Sequence, residues 1–326
     1  MTTISASDVA ELRKQSGAGL MDCKKALQES NGDYEGALDY LRKKGQKIAE
    51  KRAEKDATEG CVATASDAAK TTSVILALCC ETDFVARNEV FVALADRLVK
   101  MALEHGVENV DQLNALSMDG MTVAEKLVEQ TGKTGEKIVV SEVHRLTGNK
   151  VSSYIHAGSK IGVILSFKDG GKAGADEFFR NVAMHAAAMK PSILHYSEFD
   201  LEMVAKECES MQNQIKVENE DRTRLGKVLK TVPQCVSRLQ LTPEVMKAAE
   251  DAIKAELAAE GKPEKIWDKI LPGKLDRFVA DNTLLDQERC LLNQFFVFDE
   301  TKTVEAAVQG FADGAEIVAF RRVAIG

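Results

Sequence analysis

Glycine-rich phosphate loops are missing from this chain. It holds no GxxxxGK[ST], no GxGxxG after a strand and no GxSxG, so the common loop signatures for nucleotide binding and acyl transfer are absent. Histidine is scarce: His105, His144, His156, His185 and His195 stand far apart, without HExxH or a His/Cys cluster at metal-ligand spacing, so no metal and no cofactor is expected. No apolar run approaches the ~18 residues of a membrane span. The opening stretch MTTISASDVAELRKQ has neither an apolar core nor an arginine-rich amphipathic pattern, so no export or transit signal is expected. The seven cysteines, Cys23, Cys61, Cys79, Cys80, Cys208, Cys235 and Cys290, are odd in number and scattered. That excludes a disulfide framework and suits a reducing compartment, so the expected location is cytoplasmic. A net charge of -8 leaves no basic excess for a phosphate-seeking surface over the whole molecule; neither a nucleic acid nor a membrane is expected as a direct partner.

What is present is an ordinary globular balance, 44% hydrophobic and 29% charged, in 326 residues, enough for two or three units. All five prolines lie beyond residue 190, so the two parts of the chain are built differently.

Residues 1–45 read as three short helices divided by glycines. Ser5 with Asp8 caps the first, which carries Val9 and Leu12 and stops at the GAG of 17–19. The second carries Met21, Ala26 and Leu27 and ends at Asn31-Gly32. The third is capped by Asp33, carries Ala37, Leu38 and Leu41, and is expected to stop at Gly45. Such a bundle is marginal alone. Residues 46–59 follow as a charged linker helix, a locally basic arm.

The middle of the chain contains a duplication. SVIL (73–76) and GVIL (162–165) each end a strand, and each is followed by a loop and an amphipathic helix. Glu89, Val90, Phe91, Leu94 and Ala95 match Glu177, Phe178, Phe179, Val182 and Ala183 at one constant offset. Apolar residues at i, i+3 and i+4 give each helix one buried face. CVATAS (61–66) flanks the first, and KIVVSEVHRL and VSSYIHA, around Gly148-Asn149, flank the second. Antiparallel strands with a helix laid on one face imply two related α+β halves, 60–148 and 149–197 with 262–326. Thr122 and Glu125 form a capping box for a helix between them. Residues 198–261 interrupt the second half as an inserted helical hairpin, an arm whose second helix has Thr242 as cap, Pro243 at its first position and Val245, Ala249, Ile253 and Leu257 on one stripe. A helix with Trp267 follows, then FFVF (295–298), a helix opened by Thr303, and a last strand EIVAFRRV (316–323).

CCETDFVAR (79–87) carries the densest chemistry. Adjacent thiols at Cys79 and Cys80 point to opposite faces of a strand and cannot readily share a metal or form a redox pair. Phe84 lies beyond the strand end and before a helix capped by Asn88. Its two readings are the hydrophobic staple of that helix and an exposed aromatic anchor for a partner.

LRKQSGAGLMDCKKAL (12–27) with NGD (31–33), then ETDFVARN (81–88), YIHAGSKIGVILSF (154–167) and AMHAAAMKP (183–191), resemble elongation factor Ts in sequence and order. The resemblance covers nearly the whole chain. Against the usual LR-x-x-TGAGMMDCKKAL signature, Ser16 replaces Thr and Leu20 replaces Met; residues 205–260 look longer than in short members, and the ending RRVAIG replaces RFEVGEG. The resemblance implies an α+β protein with a three-helix, ubiquitin-associated-like bundle, a duplicated core with antiparallel sheets and a protruding hairpin. It also implies a guanine nucleotide exchange factor, not an enzyme of covalent chemistry, that binds elongation factor Tu in its GDP-bound and nucleotide-free forms. On this resemblance Arg13, Leu20, Met21 and Cys23 grip the GTPase. Thr82, Asp83, Phe84 and Val85 disturb its magnesium and phosphate site, and Gly135, His156 and Gly158 match further contact positions. Two other readings compete: a helical-bundle binding adapter without exchange activity, and a thiol enzyme using Cys79 or Cys80.

Overall fold

The computed structural model describes residues 4–156 and 158–326. The chain opens with α1 (Ala6–Ser16), α2 (Leu20–Glu29) and α3 (Tyr34–Arg52), which enclose Leu12, Cys23, Ala26, Leu27 and Ala37. Ser5 and Asp8 form a reciprocal capping box, Gly17 ends α1 in the left-handed conformation, and Asp33 caps α3 through the Gly36 amide. The expected stop at Gly45 does not occur. α3 runs on to Arg52, so residues 46–52 belong to it and not to a separate linker helix. A glycine inside a helix costs only about 1 kcal/mol against alanine, and here Gly45 lets α3 lie close along a later helix, as described below.

Next come β1 (Glu59–Ser66), β2 (Thr72–Cys80), the single turn α4 (Asp83–Ala86) and α5 (Glu89–Glu104). α6 (Val110–Ala115), the short β3 (Ser117–Met118) and β4 (Met121–Thr122), and α7 (Val123–Thr134) lead to β5 (Val139–Thr147). β2 is the central strand, antiparallel to β1 on one side and to β5 on the other. α5 covers one face of this sheet with Phe91, Leu94, Ala95, Leu98 and Val99, and α7 packs on α3.

The pattern then repeats. β6 (Lys150–Ile155), β7 (Ile161–Asp169) and α8 (Ala175–Met189) follow, and the closing strand of this second sheet comes last in the chain. Phe179, Val182 and Ala183 of α8 are buried like their partners Phe91, Leu94 and Ala95 at the same offset, and Phe179 stacks on Phe167 at 3.8 Å between centroids. The two sheets meet face to face through Val62, Ile75, Ala77, Cys79 and Ile164. Gly162 permits that contact: a Cβ there would fall 2.6 Å from Val62 Cγ1 and 2.9 Å from Ile75 Cδ1.

Between α8 and the last strand lie α9 (Leu201–Arg224), α10 (Pro243–Ala259), α11 (Trp267–Asp281), α12 (Leu284–Arg289), β8 (Phe295–Phe296), β9 (Asp299–Thr303) and α13 (Val304–Phe311); β10 (Ala315–Ala324) then completes the second sheet in the order β10-β7-β6. By contact the chain divides into two compact units. One runs to Asp169 and adds Ala173–Ala187 and Glu316–Gly326; the other is Gly170–Lys172 with Ala188–Ala315. The strand that rejoins the second half therefore enters at Glu316. Residues 262–315, assigned to the second half on sequence, pack with the inserted helices instead. The physical reason lies in two side chains. Asn282 Oδ1 accepts the backbone amides of Gln234 (2.8 Å) and Cys235 (3.0 Å), and Asp286 Oδ2 accepts that of Arg238 (2.7 Å), stitching the insertion to α12. The packed helical pair of this unit is α10 with α11, joined by Lys274 to Glu256 at 2.9 Å. Among the described residues no helix is long and apolar enough to cross a membrane.

Candidate functional site

The end of β2 becomes unusual where the strand stops. Cys80 faces the α5 side of the sheet and Cys79 the inter-sheet side, as their adjacency requires, and both are buried because both faces are covered. Burial pushes the Cys80 thiol up to about 12 and raises that of Cys79, the opposite of what a nucleophilic thiolate needs. The thiol-enzyme reading therefore fails on environment.

The chain then turns once as α4. Phe84 stands on this turn with 84% of its surface exposed, while its neighbours Val85 and Ala86 pack against the core beneath α5. The staple reading is overturned by that exposure. The turn is held at both ends. Before it, the Thr82 amide donates to Glu136 Oε2 at 3.0 Å and the Thr82 hydroxyl to Oε1 at 2.7 Å. Glu81 accepts from the Lys137 amide (2.7 Å) and from Arg52 at the end of α3 (2.7 Å). After it, Asn88 caps α5 through the Val90 amide at 2.9 Å. Asp83 pairs with Arg87 at 3.1 Å on the outer surface of the turn.

The other residues singled out on sequence fall in three places. Gly135 ends α7 in the left-handed conformation (φ 75°), and the residue after it, Glu136, is the one that binds Thr82. His156 and Gly158 lie in the β6–β7 loop; both are exposed, and His156 Nδ1 is 3.1 Å from the Tyr154 hydroxyl. That loop sits at the same end of the sandwich as Phe84: Lys160 pairs with Glu59 at 2.7 Å, and Glu59 is opposite Cys80 in the sheet register. Arg13, Leu20 and Met21 belong to the N-terminal bundle. Leu20 and Met21 are 51% and 71% exposed at the start of α2, two apolar side chains open to solvent. Cys23 is corrected: it is wholly buried, its sulfur 3.6 Å from the Ser16 hydroxyl, so it holds the α1–α2 corner and presents nothing to a partner. Sequence reasoning missed Arg52, Glu81 and Glu136. The signal open to it was a carboxylate immediately after each of two stop points, the apolar run ending at Cys80 and the glycine at 135.

The arrangement thus offers contact surface: an exposed aromatic on a clamped turn, and an exposed aliphatic pair on a bundle. Comparison with known proteins gives the family. The family model described as Elongation factor TS matches residues 81–231 and 227–326. The chain is 61% identical over 327 residues to Elongation factor Ts of Rhodopirellula baltica and 47% identical over 326 residues to that of Flavobacterium johnsoniae, covering the full length of both chains in each case. It is 43% identical to Elongation factor Ts of Wolinella succinogenes, over all of this chain and 95% of the relative.

Proposed function

This chain belongs to the elongation factor Ts family, and from that premise we propose that it is the guanine nucleotide exchange factor of elongation factor Tu, acting through Phe84 as a wedge. A factor of this family is not a catalyst of covalent chemistry, and its work is done by differential binding. A protein that binds the empty GTPase more tightly than the loaded one must weaken nucleotide binding by the same factor. Magnesium demands near-ideal octahedral oxygen ligands, so displacing the elements around it by a fraction of an ångström costs much of its affinity. An apolar ring on a rigid turn is suited to such a displacement, because little binding energy is then consumed in ordering the turn.

The observation that carries this reading is the exposure of Phe84 on a turn whose neighbours are all anchored. Thr82, Asp83 and Val85 hold the turn around it. Leu20 and Met21 on α2, with the exposed Arg13 on α1, supply the grip on the nucleotide domain; a pair of exposed aliphatics gives a partner apolar area to bury. Gly135, His156 and Gly158 place two further loops at the wedge end of the sandwich, available as secondary contacts.

The test is release of a fluorescent GDP analogue from elongation factor Tu with wild type and Phe84→Ala. Loss of a solvent-facing ring should leave stability within about 0.5 kcal/mol, while release slows by roughly 5- to 150-fold. A variant that melts early yet exchanges normally per folded molecule would overturn the wedge reading.

A further inference from the structure

The hydrogen bonds below Phe84 follow a rule set by the sheet. β2 and β5 are antiparallel, with Cys79 opposite Val139 at the last regular pair. Continuing that register past the strand ends brings Glu81 beside Lys137 and Thr82 beside Glu136. At these two positions carboxylates take the amides in place of a backbone ladder: Glu81 Oε1 takes the Lys137 amide and Glu136 Oε2 takes the Thr82 amide. The two loops thus exchange side-chain acceptors across the gap and stay tied together after the strands have parted.

Thr82 shows what this arrangement displaces. It occupies the cap position of α4, yet its side chain makes no cap hydrogen bond; its hydroxyl is turned to Glu136 Oε1 instead. A four-residue turn has no stability of its own. Its start is fixed from outside by a carboxylate that accepts twice from one residue, and charge-assisted bonds of this kind are about twice as strong as neutral ones. Glu81 adds a second tie. Its other oxygen takes Arg52, and Lys137 Nζ donates to the carbonyls of Ala53 (2.7 Å) and Lys55 (3.0 Å), so the loop root is fastened to the end of α3, the helix that carries the bundle.

We propose that Glu136 is a positioning residue for nucleotide exchange: it aims Phe84 by holding Thr82, and touches the nucleotide site only through that turn. Glu81 completes the lock and couples the turn to α3. This rests on the wedge reading of Phe84 and names the element that sets the wedge's direction.

Three measurements test it on the full chain. In the free protein, the Thr82 amide should exchange with deuterium about as slowly as neighbouring β2 amides, and Glu136→Ala should release it; an amide already in fast exchange in the wild type would overturn the lock. With elongation factor Tu, Glu136→Ala should lower the saturating rate of GDP release by roughly tenfold. The factor concentration at half-saturation should stay within about threefold, because the Leu20/Met21 grip is untouched. Glu136→Gln, which keeps one acceptor oxygen, should fall between wild type and alanine, and it takes alanine's place if that variant fails to fold. Val182→Ala, which weakens the buried face of α8 away from the loop, should lose melting temperature without losing saturating rate. On a Phe84→Ala background, Glu136→Ala should cost less than about twofold more. An undiminished loss there, or no loss in the single variant while Phe84→Ala is slow, sinks the proposal and leaves the wedge standing. Normal release by Phe84→Ala sinks both.

Discussion

Gly132 of α7 lies so near Gly45 of α3 that a Cβ built on it would come 2.7 Å from the Gly45 Cα. Backbone meets backbone here, and no side chain can move aside to make room. Gly132→Ala should therefore push α3 off α7 and destabilise the protein by about 1–3 kcal/mol, the usual cost of overpacking. Urea denaturation measures the loss, and faster proteolysis near residues 53–58 would show that the seam between the helices has opened.

Leu20→Ala with Met21→Ala tests the grip separately from the wedge. Both side chains are solvent-facing, so the melting temperature should hardly change. The factor concentration needed for half-maximal exchange should rise by about tenfold or more, at 1 kcal/mol or so for each anchor, while the saturating release rate stays close to wild type. An unaltered half-saturation point would remove the bundle from the interface. Cys23→Ala should do the reverse, costing stability and leaving the per-molecule exchange intact, because its sulfur never reaches the surface.

All seven cysteines are free and buried, and burial raises the thiols of Cys61 and Cys80 to about 12 and those of Cys79, Cys235 and Cys290 above their ordinary value. Alkylation of the native protein near pH 8 should be slow at every site and become complete on adding denaturant. One cysteine reacting far ahead of the others would revive a thiol role.

Asp286 gives the second unit a pH signature. Burial is the main cause that lifts its carboxyl above the ordinary 3.8; the Ser237 hydroxyl and the Arg238 amide pull it back down without cancelling the lift, and Oδ1 has no hydrogen-bond partner. A carboxyl whose folded pKa is raised holds its proton more tightly when folded, so its contribution to stability is present below about pH 3.8 and is lost as pH rises through the raised value. Asp286→Asn keeps an acceptor for Arg238 and removes the charge. The difference in unfolding free energy between variant and wild type should therefore move in the variant's favour as pH climbs from 4 towards neutrality. Parallel stability curves would show that Asp286 is not the group responsible.

The features that sequence displayed well are those decided within a few residues. The capping boxes at Ser5–Asp8 and Thr122–Glu125, the caps Asn88, Thr242 and Thr303, and the matched buried faces of α5 and α8 all depend on neighbours three or four positions away. Phe84 was visible as a problem with two answers, and only the covering of its surroundings chose between them. What stayed hidden was decided at long range. Gly45 carries a stop signal that packing against α7 overrides. Glu136 acts on Thr82 only because β5 folds back beside β2, and a carboxylate after a glycine says nothing of that. Pro272 lies inside α11, which continues through it, with Lys274 pairing to Glu256 and Glu260.

The duplicated halves differ in when they can close. β2 is flanked by β1 and β5, so the first sheet has all its strands once the chain has reached Thr147. β7 gains β6 at once but must wait for β10, which starts at Ala315, after the whole inserted unit has been made. On a ribosome adding about 5–20 residues each second, the hydrogen-bonding edge of a largely apolar, mostly buried central strand stays open for many seconds. An unpaired edge of that kind is a template for pairing with another chain. Truncation anywhere inside the insertion should therefore yield a nascent protein whose first half is sound and whose second aggregates, a hazard created by strand order and not by any weakness in the finished fold.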